Sequence, residues 1–166
     1  MNNNLLADGH ELIIEVPKVL LHTHLEGSIP QSTLLKLCKR NKIVLPFPFD
    51  SKAVKEICRK GRWDTFLRLY LLISSCFMNR LDFYDAICDY ADCLYKENII
   101  YAELTCTPWN HYSRGVALDD IALGLYDGIE AARKKYGIDL KIIFDVNKIA
   151  AYYGNTPGYS FTKKHS

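Results

Sequence analysis

Two histidines, His22 and His24, stand one residue apart at the end of the apolar run Val19-Leu20-Leu21. In an extended strand the side chains alternate between faces, so both imidazoles point the same way, about 7 Å apart along the chain. Two neutral imidazole nitrogens on one face of a strand end can grip a single metal ion, and Zn²⁺ suits them at about 2.0–2.1 Å. The plainer alternative is a pair of polar residues at a strand end, one of them satisfied by a backbone carbonyl. An acid and a glycine, Glu26 and Gly27, follow at once, and that context favours the metal. Gly27 would let the backbone turn sharply or pass close to a ligand.

Other titratable residues read as structural. Glu103 falls mid-strand between Ala102 and Leu104; a buried carboxylate needs a partner, and a structural ion pair is favoured over a role behind a metal-bound histidine. His111 lies in the following loop and is expected to be a lone exposed histidine. Asp82, Asp85, Asp89 and Asp92 fall on one side of a helical pattern and are expected to form a solvated face. Six cysteines, Cys38, Cys58, Cys76, Cys88, Cys93 and Cys106, show no C-x-x-C spacing, so free thiols in a reducing cytoplasm are expected rather than a thiolate metal site.

The elements that must position these residues follow from periodicity. Residues 16–24 read as a strand. Ser28 as N-cap and Pro30 in the first turn open a helix whose apolar side is Leu34, Leu35, Leu37 and Cys38. Residues 41–50 form a loop with Pro46 and Pro48, residues 51–59 a short helix, and Gly61 a break. Helices follow over 63–78 and 80–98, the second with the stripe Tyr84, Ile87, Cys88, Ala91, Leu94 and Tyr95. A strand covers 99–106 and a loop 107–115. A helix over 118–136 presents Leu118, Ile121, Ala122, Leu125, Ile129 and Ala132 and stops at Gly137. A continuous apolar strand over 140–146 completes the pattern. Strands separated by helices are the βαβ arrangement of a parallel sheet.

The stretch Pro17-Lys18-Val19-Leu20-Leu21-His22-Thr23-His24-Leu25-Glu26-Gly27-Ser28 resembles the opening strand and loop of the adenosine deaminase family, metal-dependent amidohydrolases built on a (β/α)8 barrel. Tyr101-Ala102-Glu103-Leu104-Thr105-Cys106-Thr107-Pro108 is similar to that family's second strand and the loop after it. Phe66-Leu67-Arg68-Leu69-Tyr70 resembles an aromatic helix lining its substrate pocket. The resemblance implies His22 and His24 as zinc ligands and Glu26 as an acid that hydrogen-bonds a ribose hydroxyl, in a position where many members carry aspartate. Trp63, Phe66 and Tyr70, spaced as one helix face requires, would wall an apolar purine pocket, although such a stripe also suits plain core. The implied reaction is hydrolytic deamination at C6 of a purine nucleoside, adenosine to inosine and ammonia, with zinc lowering the pKa of the attacking water.

Length sets the terms of that expectation. A (β/α)8 barrel typically takes about 250 residues, and this chain has 166. About three of eight strands are expected, so the fold class is the N-terminal part of such a barrel. The family's third zinc histidine, catalytic glutamate, further histidine and aspartate pair belong to later elements. His111 and His165, the histidines after His24, do not match them, so no catalytic residue is assigned and a truncated chain, inactive alone, is expected. The rivals are a non-catalytic fragment or relic and an amidohydrolase acting on another adenine-containing nucleoside. The division expected is a polar leader over 1–15, the β/α domain over 16–149 and an unmatched tail over 150–166.

Composition is that of a globular protein, 49% hydrophobic and 24% charged with a formal net charge of +2. Near-neutral charge argues against a nucleic-acid partner. No signal sequence or transmembrane run is visible, so a cytoplasmic protein with no membrane partner is expected. The expected partner is a small purine nucleoside, with self-association possible through an exposed sheet edge.

Overall fold

The computed structural model describes residues 13, 15–45, 56, 59 and 63–146, without the side chains of Trp63 and Asp64. The expected 51–59 helix, the tail over 150–166 and nearly all of the leader lie outside the described residues. Strand β1 (Lys18–His24) runs into a helical turn, α1 (Leu25–Ser28). Helices α2 (Gln31–Asn41), α3 (Trp63–Ser74) and α4 (Arg80–Lys96) lead to β2 (Ile99–Cys106). A short helix α5 (Pro108–Tyr112), the long α6 (Leu118–Tyr136) and β3 (Asp139–Phe144) follow.

Among the described residues the sheet has three strands in the order β1-β2-β3, all parallel. Register decides which side chains share a face. Leu20 pairs with Ala102 and Thr23 with Leu104, while Ala102 and Leu104 pair with Leu140 and Ile142. Ala102, Leu104 and Leu140 are buried, with Leu20 and Ile142 packed alongside, so this face meets the helices. A register shift between Leu20 and Thr23 lets both face the helices despite their odd spacing. His24 pairs with Thr105 and Thr105 with Ile143 on the opposite face.

The helix layer departs from the sequence expectation at several points. Pro30, not Ser28, precedes α2, and no side chain caps it. Ser28 instead bonds the carbonyl of His24 at 2.8 Å and the Thr23 hydroxyl at 2.6 Å, fixing the exit from β1. Leu35 is exposed, so the apolar face of α2 is Leu34, Leu37 and Cys38. The third helix ends at Ser74 rather than residue 78. Asn79 and Asp82 then make a capping box at the start of α4.

The acid row is solvated only in its second half, at Asp89 and Asp92. Asp82 is fully buried and Asp85 nearly so. Arg40 on α2 pairs with both, reaching Asp82 at 2.6 Å, and Lys36 reaches Asp85 at 2.9 Å. Asn41 adds a bond to Asp82 at 2.7 Å. Burial would push the Asp85 carboxyl up, but the two cations hold it below the usual range. The buried stripe of α4 is Phe83, Ala86, Ile87, Ala91 and Leu94, whereas Tyr95 is exposed. On α6, Ala122 is exposed and Gly124 and Gly128 are buried in its place.

Candidate active site at the strand ends

The chain leaves β1 at His24 and turns at once into α1, which buries both Leu25 and Glu26. This geometry separates the motif into two groups. His22 and His24 stay exposed on the sheet face away from the helices, their ring centroids 5.6 Å apart and their planes at 68°. Glu26 points the other way, into the protein, with no exposed surface.

Each Glu26 oxygen is engaged. Oε1 lies 2.8 Å from Nε2 of His111, also fully buried. The Thr107 amide donates to the same oxygen at 3.4 Å and the Cys106 thiol approaches at 3.8 Å. Oε2 accepts from the Tyr70 hydroxyl at 3.1 Å. Burial alone would raise the Glu26 carboxyl; the bond from His111 and the backbone amides of Glu26 and Thr107 outweigh it and hold the group below its ordinary value. The Tyr70 phenol is pushed up by burial and by the Glu26 charge, so it stays a donor.

His111 is therefore not the lone exposed histidine the sequence suggested. Helix α5 follows β2 after one residue and folds the ring back under α1, where Phe83 packs edge-on at 4.9 Å and Phe77 at 5.5 Å. Its partner Glu26 lies 85 residues earlier, a separation that no local pattern signals. Asp145, just past β3, is a further acid that the motif reading missed. Its Oδ1 is sealed from solvent and has no hydrogen-bond partner among the described residues, and its charge contributes to the rise at Tyr70. Glu103 accepts from the Tyr101 hydroxyl at 2.9 Å, a hydrogen bond along its own strand rather than the expected ion pair.

Beside His24 a cavity of about 310 Å³ is lined by His24, Gly27, Ser28, Phe66, Leu67 and Tyr70. Tyr70 packs edge-on against His24 at 5.9 Å. Of the aromatic stripe, Phe66 and Tyr70 reach this cavity, and the Trp63 side chain lies outside the described residues. Gly27 sits in the helical turn without a positive φ, and a Cβ there would meet only Tyr70 Cδ2, at 3.8 Å. Neither a sharp turn nor packing within the chain requires glycine; its place on the cavity wall is what remains of the expectation.

Two groups of donors could be tested against a metal. Glu26, Cys106 and His111 place ligand atoms within 4.8 Å of one another, all buried. Burial and the neighbouring Glu26 charge drive the Cys106 thiol well above its ordinary value, so it is not a thiolate, and Glu26 and His111 already satisfy each other. That cluster is a hydrogen-bond network. His22 and His24 are both exposed with their rings side by side, and they would supply two ligands of a set that needs more.

A parallel sheet flanked by helices, with imidazoles and a small pocket at the strand ends, is the layout of a β/α-barrel hydrolase. Residues 17–155 match the adenosine deaminase family, and the chain belongs to that family. It is 31% identical over 134 residues to an adenine deaminase of Chlorobium phaeobacteroides, covering 81% of this chain and 40% of that protein. It is 32% identical over 136 residues to the adenine deaminase of Saccharomyces cerevisiae, covering 80% and 39%. The structure of adenine deaminase from Arthrobacter aurescens superposes with a TM-score of 0.72 at 25% identity, covering 90% of this chain and 46% of that one. An amidohydrolase from Burkholderia ambifaria with bound zinc shares the fold at a TM-score of 0.68 and 20% identity, covering 83% and 38%.

The chain thus spans about 40% of the length of the curated relatives it matches. Its fold is part of a (β/α)8 barrel, and its family is one of metal-dependent hydrolytic deaminases acting on purines. The relatives named here are adenine deaminases, whereas the motif alone suggested adenosine. Among the described residues, no helix is long and apolar enough to cross a membrane.

Proposed function

We propose that this chain supplies the first-strand metal ligands and the base-binding wall of a zinc-dependent deaminase whose substrate is the free base adenine rather than adenosine. One observation carries the choice of substrate. A ribose contact needs a carboxylate facing the pocket, and Glu26 is fully buried with both oxygens engaged. The cavity beside His24, about 310 Å³, is at the small end of the ~300–1,000 Å³ range of ligand pockets. Phe66, Leu67 and Tyr70 offer apolar surface to a flat ring.

His22 and His24 would hold the zinc, whose contribution is to lower the pKa of a water for attack on the ring carbon bearing the amine. This chain's own residues orient the base and exclude water. The third histidine and the general acid/base glutamate implied by the resemblance have no counterpart among the described residues. The cytoplasmic location and the lack of nucleic-acid and membrane partners stay part of this proposal, supported by the near-neutral charge.

Saturation-transfer NMR on the 166-residue chain with zinc supplied tests the reading. Adenine should receive saturation from Phe66 and Tyr70, and Phe66→Ala should remove it. Adenosine bound as well as or better than adenine would restore the nucleoside as substrate.

A further inference from the structure

We propose that His111 is a positioning residue: acting through Glu26, it fixes Tyr70 as the inner wall of the pocket, and that wall admits a bare purine ring while turning away the ribose of a nucleoside. The selectivity rests on the adenine reading above; the positioning does not.

The argument starts from donors and acceptors. Arg114 has only donors to offer, and its guanidinium lies 3.2 Å from Nδ1 of His111. Nδ1 must then accept, which leaves the proton on Nε2, where it is donated to Glu26. Arg114 is itself held by the carbonyls of Ser74, at 2.6 Å, and Asn110. Phe77 and Phe83 fix the plane of the imidazole. The tautomer and direction of His111 are therefore set from outside the pocket.

Glu26 transmits that setting. With Oε1 occupied by His111 and the Thr107 amide, Oε2 is the oxygen left for Tyr70. The hydroxyl bond tethers the far end of the Tyr70 ring, and the ring edge rests on His24 and near Gly27. His111 does not line the cavity, so any influence on a ligand passes through Glu26 and Tyr70. A histidine serving only to fill the Phe77–Phe83 box could be replaced by an apolar residue with no effect at Tyr70.

The test uses the 166-residue chain labelled at histidine and tyrosine, with His111→Leu, His111→Gln and Tyr70→Phe. Glutamine can place a donor near the position of Nε2; leucine cannot. In the parent chain the His111 ring nitrogens should give the signature of the Nε2–H tautomer. His111→Leu should shift or broaden the Tyr70 ring resonances and His111→Gln should largely restore them. Adenine titrated into the parent should bind at least about tenfold more tightly than adenosine, a preference lost in His111→Leu and Tyr70→Phe and recovered in His111→Gln.

Unchanged Tyr70 resonances in a folded His111→Leu chain would overturn the positioning role. If His111→Leu fails to fold, Tyr70→Phe decides the wall: an undiminished preference for adenine there overturns it. Tyr70 responding to His111 in a chain that takes adenine and adenosine equally would sink the adenine reading and the selectivity, and leave the positioning standing.

Discussion

Gly128 on α6 stands so close to Ile87 on α4 that a Cβ added to the glycine would lie 2.7 Å from the Cβ of Ile87. One turn earlier, a Cβ on Gly124 would lie 2.4 Å from the carbonyl oxygen of Arg80 and 2.8 Å from the Cβ of Phe83. Backbone cannot give way as a flexible side chain does. Gly124→Ala should therefore cost about 3 kcal/mol, the upper end of overpacking penalties. Gly27→Ala, where the nearest contact is 3.8 Å, should leave stability unchanged and weaken adenine binding. Urea melts of both variants check the pair; equal stability for Gly124→Ala would mean that the helices can separate freely.

These glycines show where the sequence stopped being legible. A count of apolar periodicity scores a glycine as an absent side chain, so the expected face of α6 includes Ala122 and omits Gly124 and Gly128, while Ile121, Leu125 and Ala132 are buried as expected. The strands were readable because each apolar run is local and bounded: β2 falls on the expected 99–106, and the other two differ only at their ends. Burial of Asp82, Asp85 and His111 was not readable, because each is made tolerable by a partner at least 42 residues away. Gly27, Phe66 and Tyr70, which the motif singles out, line the cavity beside His24, but the inward turn of Glu26 depends on α1, whose four residues carry no distinctive periodicity.

Arg40 neutralises a carboxylate that has no exposed surface. Arg40→Met should cost about 3 kcal/mol, because it leaves the Asp82 charge buried without its cation. Adding Asp82→Asn, which keeps an acceptor for the α4 cap, should recover much of the loss. A double-mutant cycle by chemical denaturation measures the coupling, and simple additivity would mean the pair is not coupled.

Acid should weaken the fold through Glu26. Its folded value is depressed below the ordinary 4.5, so the stability it contributes is fully present above the unfolded value. That contribution is lost as pH falls through the lower folded value. Asp85 acts in the same direction. The urea midpoint should fall below about pH 4.5, and Glu26→Gln should flatten the fall and lower the midpoint at pH 7. An identical pH slope in Glu26→Gln would show that the carboxylate does not carry the effect.

Zinc should bind the chain weakly, since two imidazoles leave a tetrahedral site half built. Calorimetric titration should lose what binding there is in His22→Ala. Spectrophotometric assays should find negligible deamination of adenosine or adenine by the chain with zinc supplied. Turnover that His22→Ala abolishes would mean that the site is completed from elsewhere in an assembly.

Val19, Leu21, Ile143 and Phe144 are 59%, 59%, 44% and 57% exposed, and β3 pairs on one side only among the described strands. Exposed apolar surface and a free strand edge favour association. Light scattering after size exclusion should show species larger than 19.1 kDa. A sharp monomer with a cooperative melt would show that these surfaces are covered.

The pairing of Leu20 with Ala102 has a consequence for synthesis on the ribosome. Among the described strands, the first has its one neighbour about 80 residues further on, a delay on the order of 4–16 s at roughly 5–20 residues per second. For that interval the apolar segment Val19-Leu20-Leu21, with His22 and His24, emerges ahead of the strand that pairs with it among the described residues. The second strand, flanked on both sides in the finished sheet, is thus the one whose arrival lets the nascent sheet begin.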